Sequence, residues 1–287
     1  MKGIRSRIID LKRYIKDVRN IPGTSLGQMA DYFRKNYGFE DRFFKAVRTL
    51  ELLDQAQKNG ETYGWKYATE EAMNETGIDY TVQGEENIPH TGSLVFVANH
   101  PYGALEIFAL ADFLLPVSAK TGSDFKVLTG PKFKILEGIK LLSILNNGNG
   151  NGKGNNGYEH SLEEHVRSLQ QGGNLVILPA GDVSGAHLEE YPWKNGVGYL
   201  APHSQYIVPI YVSGPDHSFL YNFLSNHERT EELRNGLIPR ETWNKSGKSL
   251  DLIIGEPIDS KRLSRFRDRK KVTAYLKEKT EALRPEA

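Results

Sequence analysis

The spacing of apolar residues divides the chain into a helical stretch and an alternating stretch. From Lys2 to Arg19, Ile4, Ile8, Leu11, Ile15 and Val18 recur three and four residues apart with Lys and Arg between them, which predicts a basic amphipathic helix. Such a helix either lies on an anionic bilayer or packs on the protein with a solvated basic face. Pro22-Gly23-Thr24-Ser25 interrupts the pattern, and Thr24 or Ser25 is a suitable N-cap for a second helix running towards Lys35. Helical spacing returns from Asp41 to Asn59 and again from Thr62 to Glu75. Residues 1–76 therefore read as an N-terminal helical module, and residues 77–287 as a second domain.

From Gly77 the period changes. Ile78 to Gly84 alternates like a strand, and Asn87-Ile88-Pro89 makes a turn before the apolar run Leu94-Val95-Phe96-Val97-Ala98. That run ends at Asn99-His100-Pro101-Tyr102-Gly103, where Pro and Gly break it, and a helical pattern begins near Ala104. Phe125 to Thr129 reads as a strand ending in a turn at Gly130-Pro131, followed by a helix through Ile139 and Leu142. The Asn/Gly run from Asn146 to Gly157 is too polar to pack and reads as a linker or lid.

Ser161, with Glu164 three residues on, predicts a capped helix that runs to Gln171 and stops at Gly172-Gly173. Asn174 to Leu178 is a buried strand ending at Pro179-Ala180-Gly181-Asp182-Val183-Ser184, and Ile207 to Gly214 is another. Leu250 to Ile258 supplies a last strand and Lys270 to Leu283 a closing helix. Strands alternating with helices predict an α/β fold with a layered mixed sheet flanked by helices.

Composition narrows the chemistry. The 287 residues, 38% of them hydrophobic, suffice to bury a sizeable core. The 37 basic and 36 acidic residues nearly cancel, so no nucleic-acid partner is expected. With no cysteine there is no disulfide, thiolate metal site or cysteine nucleophile. The histidines His100, His160, His165, His187 and His203 show no ligand spacing, so no metal is expected. No N-terminal segment resembles a signal peptide, and the longest apolar stretch, Ala104 to Val117, is broken by Glu106 and Asp112 and is too short to span a bilayer. A soluble or peripherally attached protein is expected.

In open α/β sheets, ligands bind beyond the carboxyl ends of strands, which is where His100 falls. Glu106, in the first turn of the following helix, can fold back to the ring, and an imidazole held by a carboxylate takes a proton from a hydroxyl. The alternative is a hydrogen-bonded turn histidine followed by a glutamate that the helix dipole favours. Lys132 and Lys134 follow another strand end, where they either meet a phosphate or are simply solvated. The Pro179–Ser184 turn either offers backbone N–H groups to an anion, with Asp182 or Ser184 contacting an acceptor, or is only a tight turn.

Four blocks occur in one order: Asn99 to Glu106, Leu178 to Ser184, Ile207 to Gly214, and Leu237-Ile238-Pro239-Arg240-Glu241 followed by Ile254 to Ile258. Together they resemble the glycerophospholipid acyltransferase family, in its hemolysin-like subgroup that includes lyso-ornithine-lipid O-acyltransferases. The resemblance implies transfer of a fatty acyl group from acyl-CoA or acyl carrier protein to a hydroxyl or amine of a lyso-lipid, with no further cofactor and no acyl-enzyme. It makes His100 the base and Glu106 its orienting partner. It assigns substrate contacts to Asn99, Pro179, Ala180, Gly181, Asp182 and Ser184, and a phosphate contact to Lys132 or Lys134. It also implies a cytoplasmic enzyme attached peripherally to the inner face of the membrane.

Two features depart from the family's most familiar pattern, in which four residues separate His from Asp. Here five residues separate His100 from Glu106, the longer spacing of the hemolysin-like subgroup, with Glu in place of Asp. Pro179-Ala180-Gly181-Asp182 also stands where phosphate-acceptor members carry Pro-Glu-Gly-Thr, which argues against a lysophosphatidate acceptor. Two other functions remain open at the level of sequence. One is a lipid or thioester hydrolase, although no Gly-x-Ser-x-Gly elbow is present. The other is a non-catalytic lipid-binding protein at the membrane surface.

Overall fold

The computed structural model describes residues 70, 73–74, 77–103, 105–121, 125–129, 142–144, 156–226, 234, 238, 241 and 245–286. The helices expected between Lys2 and Asn59 lie outside the described residues, as do Lys132, Lys134 and most of the Asn/Gly run.

The apolar runs of the sequence become a single sheet. Its strands are β1 (Asp79–Gln83), β2 (Leu94–Ala98), β3 (Phe125–Thr129), β4 (Leu142–Ile144), β5 (Asn174–Ile177), β6 (Tyr206–Ser213), β7 (Ser249–Ile254) and β8 (Ile258–Asp259). They are ordered β1-β7-β6-β2-β5-β3-β4, with β8 paired to β6. Pairing is parallel except for β6 with β7 and β6 with β8, so the sheet is mixed, as expected.

Every residue of β2 is buried, and its side chains alternate between two cores. Leu94, Phe96 and Ala98 pack with Leu105, Phe108 and Leu110 of helix α1 (Leu105–Thr121). Val95 and Val97 face the opposite layer. There they meet Leu162 and Leu169 of α2 (Asn156–Gln170), Leu200 of α3 (Gly196–Leu200), and Val272 and Leu276 of α5 (Arg269–Glu281). A strand buried on both faces needs no alternation, and burying Leu94 and Phe96 contributes about 1.5–3 kcal/mol each. A short helix α4 (Phe219–Ser225) follows β6.

Two expectations are corrected. Leu142 belongs to β4, paired in parallel with β3, and not to a helix; a three-residue edge strand is too short to show a period. Helix α2 begins at Asn156, inside the expected loop, so Ser161 is an interior residue and not an N-cap. Tertiary burial of Leu162 and Leu169 carries that helix despite its poorly helix-forming first turn.

Candidate active site

Strands β2, β5 and β6 run parallel, so the segments that follow them leave the sheet at one edge. His100 is on the first, Ser184 on the second and His217 on the third. Ser184 N–H donates to the His100 carbonyl at 2.9 Å and joins the first two.

The turn after β2 has its polar groups met one by one. His100 N–H donates to both carboxylate oxygens of Glu190, at 3.1 and 3.3 Å. The Pro101 carbonyl accepts the Ser184 hydroxyl at 3.0 Å. Tyr102 and Gly103 donate their N–H groups to Glu106 Oε1 at 3.1 and 2.9 Å. Reaching back from the first helical turn, Glu106 caps its own helix in the manner of a capping-box glutamate. Gly103 has φ +95°, a left-handed conformation that glycine adopts without penalty.

The same Glu106 oxygen lies 2.6 Å from His100 Nδ1, and both side chains are buried. A carboxylate acceptor at that distance fixes the proton on Nδ1, which leaves Nε2 as the basic atom of the neutral ring. Nε2 has no hydrogen bond among the described residues. Glu106 Oε2 is buried without a hydrogen-bond partner among them, so the carboxylate's polar contacts all converge on Oε1.

Burial alone would make the His100 imidazolium unfavourable, yet its pKa is raised. The Glu106 charge and hydrogen bond outweigh burial, with further support from Glu190 and Asp182. Glu106 moves the opposite way: burial pushes its pKa up, but the His100 charge and hydrogen bond and the backbone donors lower it. Glu190 is raised, chiefly by burial, against the His100 N–H and the Trp193 indole N–H, which lies 3.0 Å from its Oε1.

Several other expected site residues make hydrogen bonds within the protein. The Asn99 amide donates to the Val212 carbonyl at 2.9 Å and accepts from Val212 N–H at 2.6 Å, extending the β2–β6 pairing beyond Ala98. Pro179, Ala180 and Ser184 are buried, so within that turn Gly181 and Asp182 reach the surface. The N–H groups of Gly181, Val183 and Ser184 donate to Leu178 O, Asp182 Oδ1 and His100 O, so these three donors are engaged inside the protein. Asp182 Oδ2 stands 3.9 Å from Arg234 Nη2, and Arg234 also donates to the Tyr191 hydroxyl. No group of three or more His, Asp or Glu side chains among the described residues is arranged to hold a metal ion.

Sequence reasoning missed Glu190, His217 and Glu241. His217 follows a strand end as His100 does, so the rule that singled out His100 could have found it. Glu190 carries no local signal: it sits in a loop ninety residues from the N–H it binds.

The residues from 62 to 286 match the family model described as Acyltransferase, and the chain belongs to that family. It is an acyltransferase. It is 22% identical over 265 residues to a lyso-glycine lipid O-acyltransferase of Phocaeicola vulgatus, an overlap covering 88% of this chain and 89% of that one. Among solved structures it is similar to the 1-acyl-sn-glycerophosphate acyltransferase PlsC of Thermotoga maritima. That likeness has a TM-score of 0.48 and 17% identity, and covers 99% of this chain and 96% of that one.

Proposed function

We propose that this acyltransferase acts on lipids, moving a fatty acyl group from acyl-CoA or acyl carrier protein to the hydroxyl, or an amine, of a lyso-lipid. The observation that carries the reading is the buried His100–Glu106 pair, 2.6 Å apart at the edge where three strands end. Family membership and the name of the Phocaeicola relative support it.

His100 Nε2 takes the proton of the acceptor hydroxyl as its oxygen attacks the thioester carbonyl. The new C–O bond forms, the C–S bond breaks, and the imidazolium returns its proton to the departing thiolate. Glu106 keeps Nδ1 protonated and stabilises the charge that the ring carries between these events. No acyl-enzyme intervenes. The lipid acceptor supports peripheral attachment at the inner face of the membrane, where the basic segment Lys2–Arg19 would meet anionic headgroups. No described helix is long and apolar enough to cross a membrane.

The test is thiol release from long-chain acyl-CoA and acyl carrier protein, with and without a panel of lyso-lipids that includes lyso-glycine lipid, in wild type and His100→Ala. The protein contains no cysteine and adds no thiol background. The expected result is acceptor-dependent release that His100→Ala abolishes. Release without acceptor would replace the proposal with a hydrolase, and no release from either donor would replace it with a lipid-binding protein.

A further inference from the structure

Behind the His100 turn lies a second histidine with a carboxylate beside it. His217 Nε2 is 3.2 Å from Ser184 Oγ, and its Nδ1 is 3.6 Å from Glu241 Oε2. All three residues are buried: 0% exposed at Ser184, 5% at His217 and 1% at Glu241. Glu241 accepts Ser218 N–H at 2.8 Å and Lys245 Nζ at 3.1 Å, and also takes the Ser218 hydroxyl. Burial pushes the Glu241 carboxyl up, but the Ser218 hydrogen bonds and the Lys245 charge hold it below the ordinary carboxylate range. Interring an ionised carboxylate, an ammonium and an imidazole where hydrophobic side chains would pack is not the cheapest way to fill a core.

The order serine, imidazole, carboxylate resembles a nucleophilic triad, but Ser184 has no exposed surface for an acyl carbon to approach. Its polar groups are committed instead. The N–H donates to His100 O, the hydroxyl donates to Pro101 O, and the carbonyl accepts the Tyr221 hydroxyl at 3.0 Å. A serine hydroxyl carries one proton, so donation to Pro101 requires the His217 contact to run the other way, with Nε2–H donating to Oγ. The ring is held for this by Tyr102, edge-on at 5.9 Å, and Tyr221, tilted at 4.1 Å, while Nδ1, beside Glu241, is buried with no hydrogen-bond partner among the described residues. Lys245 Nζ also lies 5.5 Å from the centre of the Tyr102 ring.

We propose that Ser184 and His217 are a buried positioning relay that fixes the carbonyls of His100 and Pro101, and through them the approach of the His100 ring to Glu106. Among the described residues Ser184 is the one that bonds both carbonyls, and His217 sets which way its hydroxyl points. The kinetic part of the test rests on the acyl-transfer reading; the spectroscopic part does not.

The experiment compares full-length wild type with Ser184→Ala, Ser184→Thr and His217→Gln. It measures kcat and KM, thermal midpoint, and the titration of the His100 ring by NMR, assigned with His100→Gln. Misplacing a catalytic group by a fraction of an ångström to an ångström costs on the order of tenfold to a hundredfold. Ser184→Ala is therefore expected to lower kcat by about that factor, with KM within about threefold of wild type. Its His100 midpoint should fall towards that of an ordinary imidazole, and Ser184→Thr, which retains a hydroxyl, should recover most of both. Wild-type kcat and an unchanged His100 titration in Ser184→Ala, whatever its thermal midpoint, would overturn the relay and leave Ser184 a packing residue. Should Ser184→Ala not fold, His217→Gln decides by the same readouts. Should wild type transfer no acyl group, the function proposed above fails, and the His100 titration alone decides the relay.

Discussion

Glu106 Oε1 lies 2.6 Å from His100 Nδ1 and 2.9 Å from the backbone nitrogen of Gly103, so one oxygen atom both orients the histidine and closes the start of the helix that carries it. The two functions are separable by charge. Glu106→Gln keeps the size and a carbonyl acceptor but removes the anion that stabilises the imidazolium. A fall in kcat of about a hundredfold or more is expected, with the acceptor KM little changed, because the lost interaction matters most in the transition state. Steady-state kinetics with the thiol-release assay would check it, and a Gln variant with wild-type kcat would show that the anion does no more than cap the helix.

The pH dependence follows from the two opposite shifts. His100 must be neutral at Nε2 to accept a proton, so the rate falls as pH drops through its raised pKa, and the acidic limb is expected above the ordinary imidazole value of 6.5. Removing a negative charge that supports the imidazolium should move the limb down, and Glu190→Gln should do so while leaving the His100–Glu106 pair in place. An unmoved limb in Glu190→Gln would mean that its charge does not reach the ring.

Stability should follow the same pair with the signs kept separate. The raised His100 pKa contributes stability that is fully present below 6.5 and lost as pH rises through the folded value. The lowered Glu106 pKa contributes stability that is fully present above 4.5 and lost as pH falls through its folded value. Both contributions are complete between 4.5 and 6.5. The thermal-midpoint gap between wild type and His100→Ala should be widest there and narrow on either side, and melts across a pH series would reveal a flat gap if the pair were not ionised.

Gly103 joins the turn to the helix, and two constraints act on it together. Its φ is +95°, and a Cβ there would meet Ile238 Cγ2 at 3.0 Å and Val183 Cγ2 at 3.1 Å. Gly103→Ala should cost roughly 1–3 kcal/mol by urea unfolding and lower kcat, because relief of the strain displaces the N–H that Glu106 accepts. Full activity with wild-type stability would show that the turn adapts.

Much of this architecture was legible in the sequence because its signals are local. Leu94–Ala98 and Ile207–Val212 are apolar runs long enough to mark buried strands, and His100 and Glu106 are close enough in sequence that one strand-turn-helix brings them together. What escaped lies far apart or lacks a period. Glu190, His217 and Glu241 gather behind one turn from three later segments, and no spacing along the chain encodes that meeting. The edge strand at Leu142–Ile144 is shorter than the alternation needed to recognise it.

Asn99 shows how one residue type supports two readings. An amide just beyond a strand end can contact substrate or complete the sheet, and here both its donor and its acceptor meet Val212, 113 residues away. Replacing it with alanine leaves a buried N–H and a buried carbonyl of β6 without those partners, at about 1–3 kcal/mol for each orphaned group. Asn99→Ala should therefore lower the thermal midpoint and the urea midpoint clearly, while the acceptor KM of the folded fraction stays within about twofold of wild type. A substrate ligand would behave in the reverse way, with stability nearly unchanged and KM raised by about tenfold, the loss of one good hydrogen bond to substrate. Unfolding curves and KM measured on the same preparation separate the two, because the sheet contact acts in the absence of substrate and a binding contact acts only in its presence.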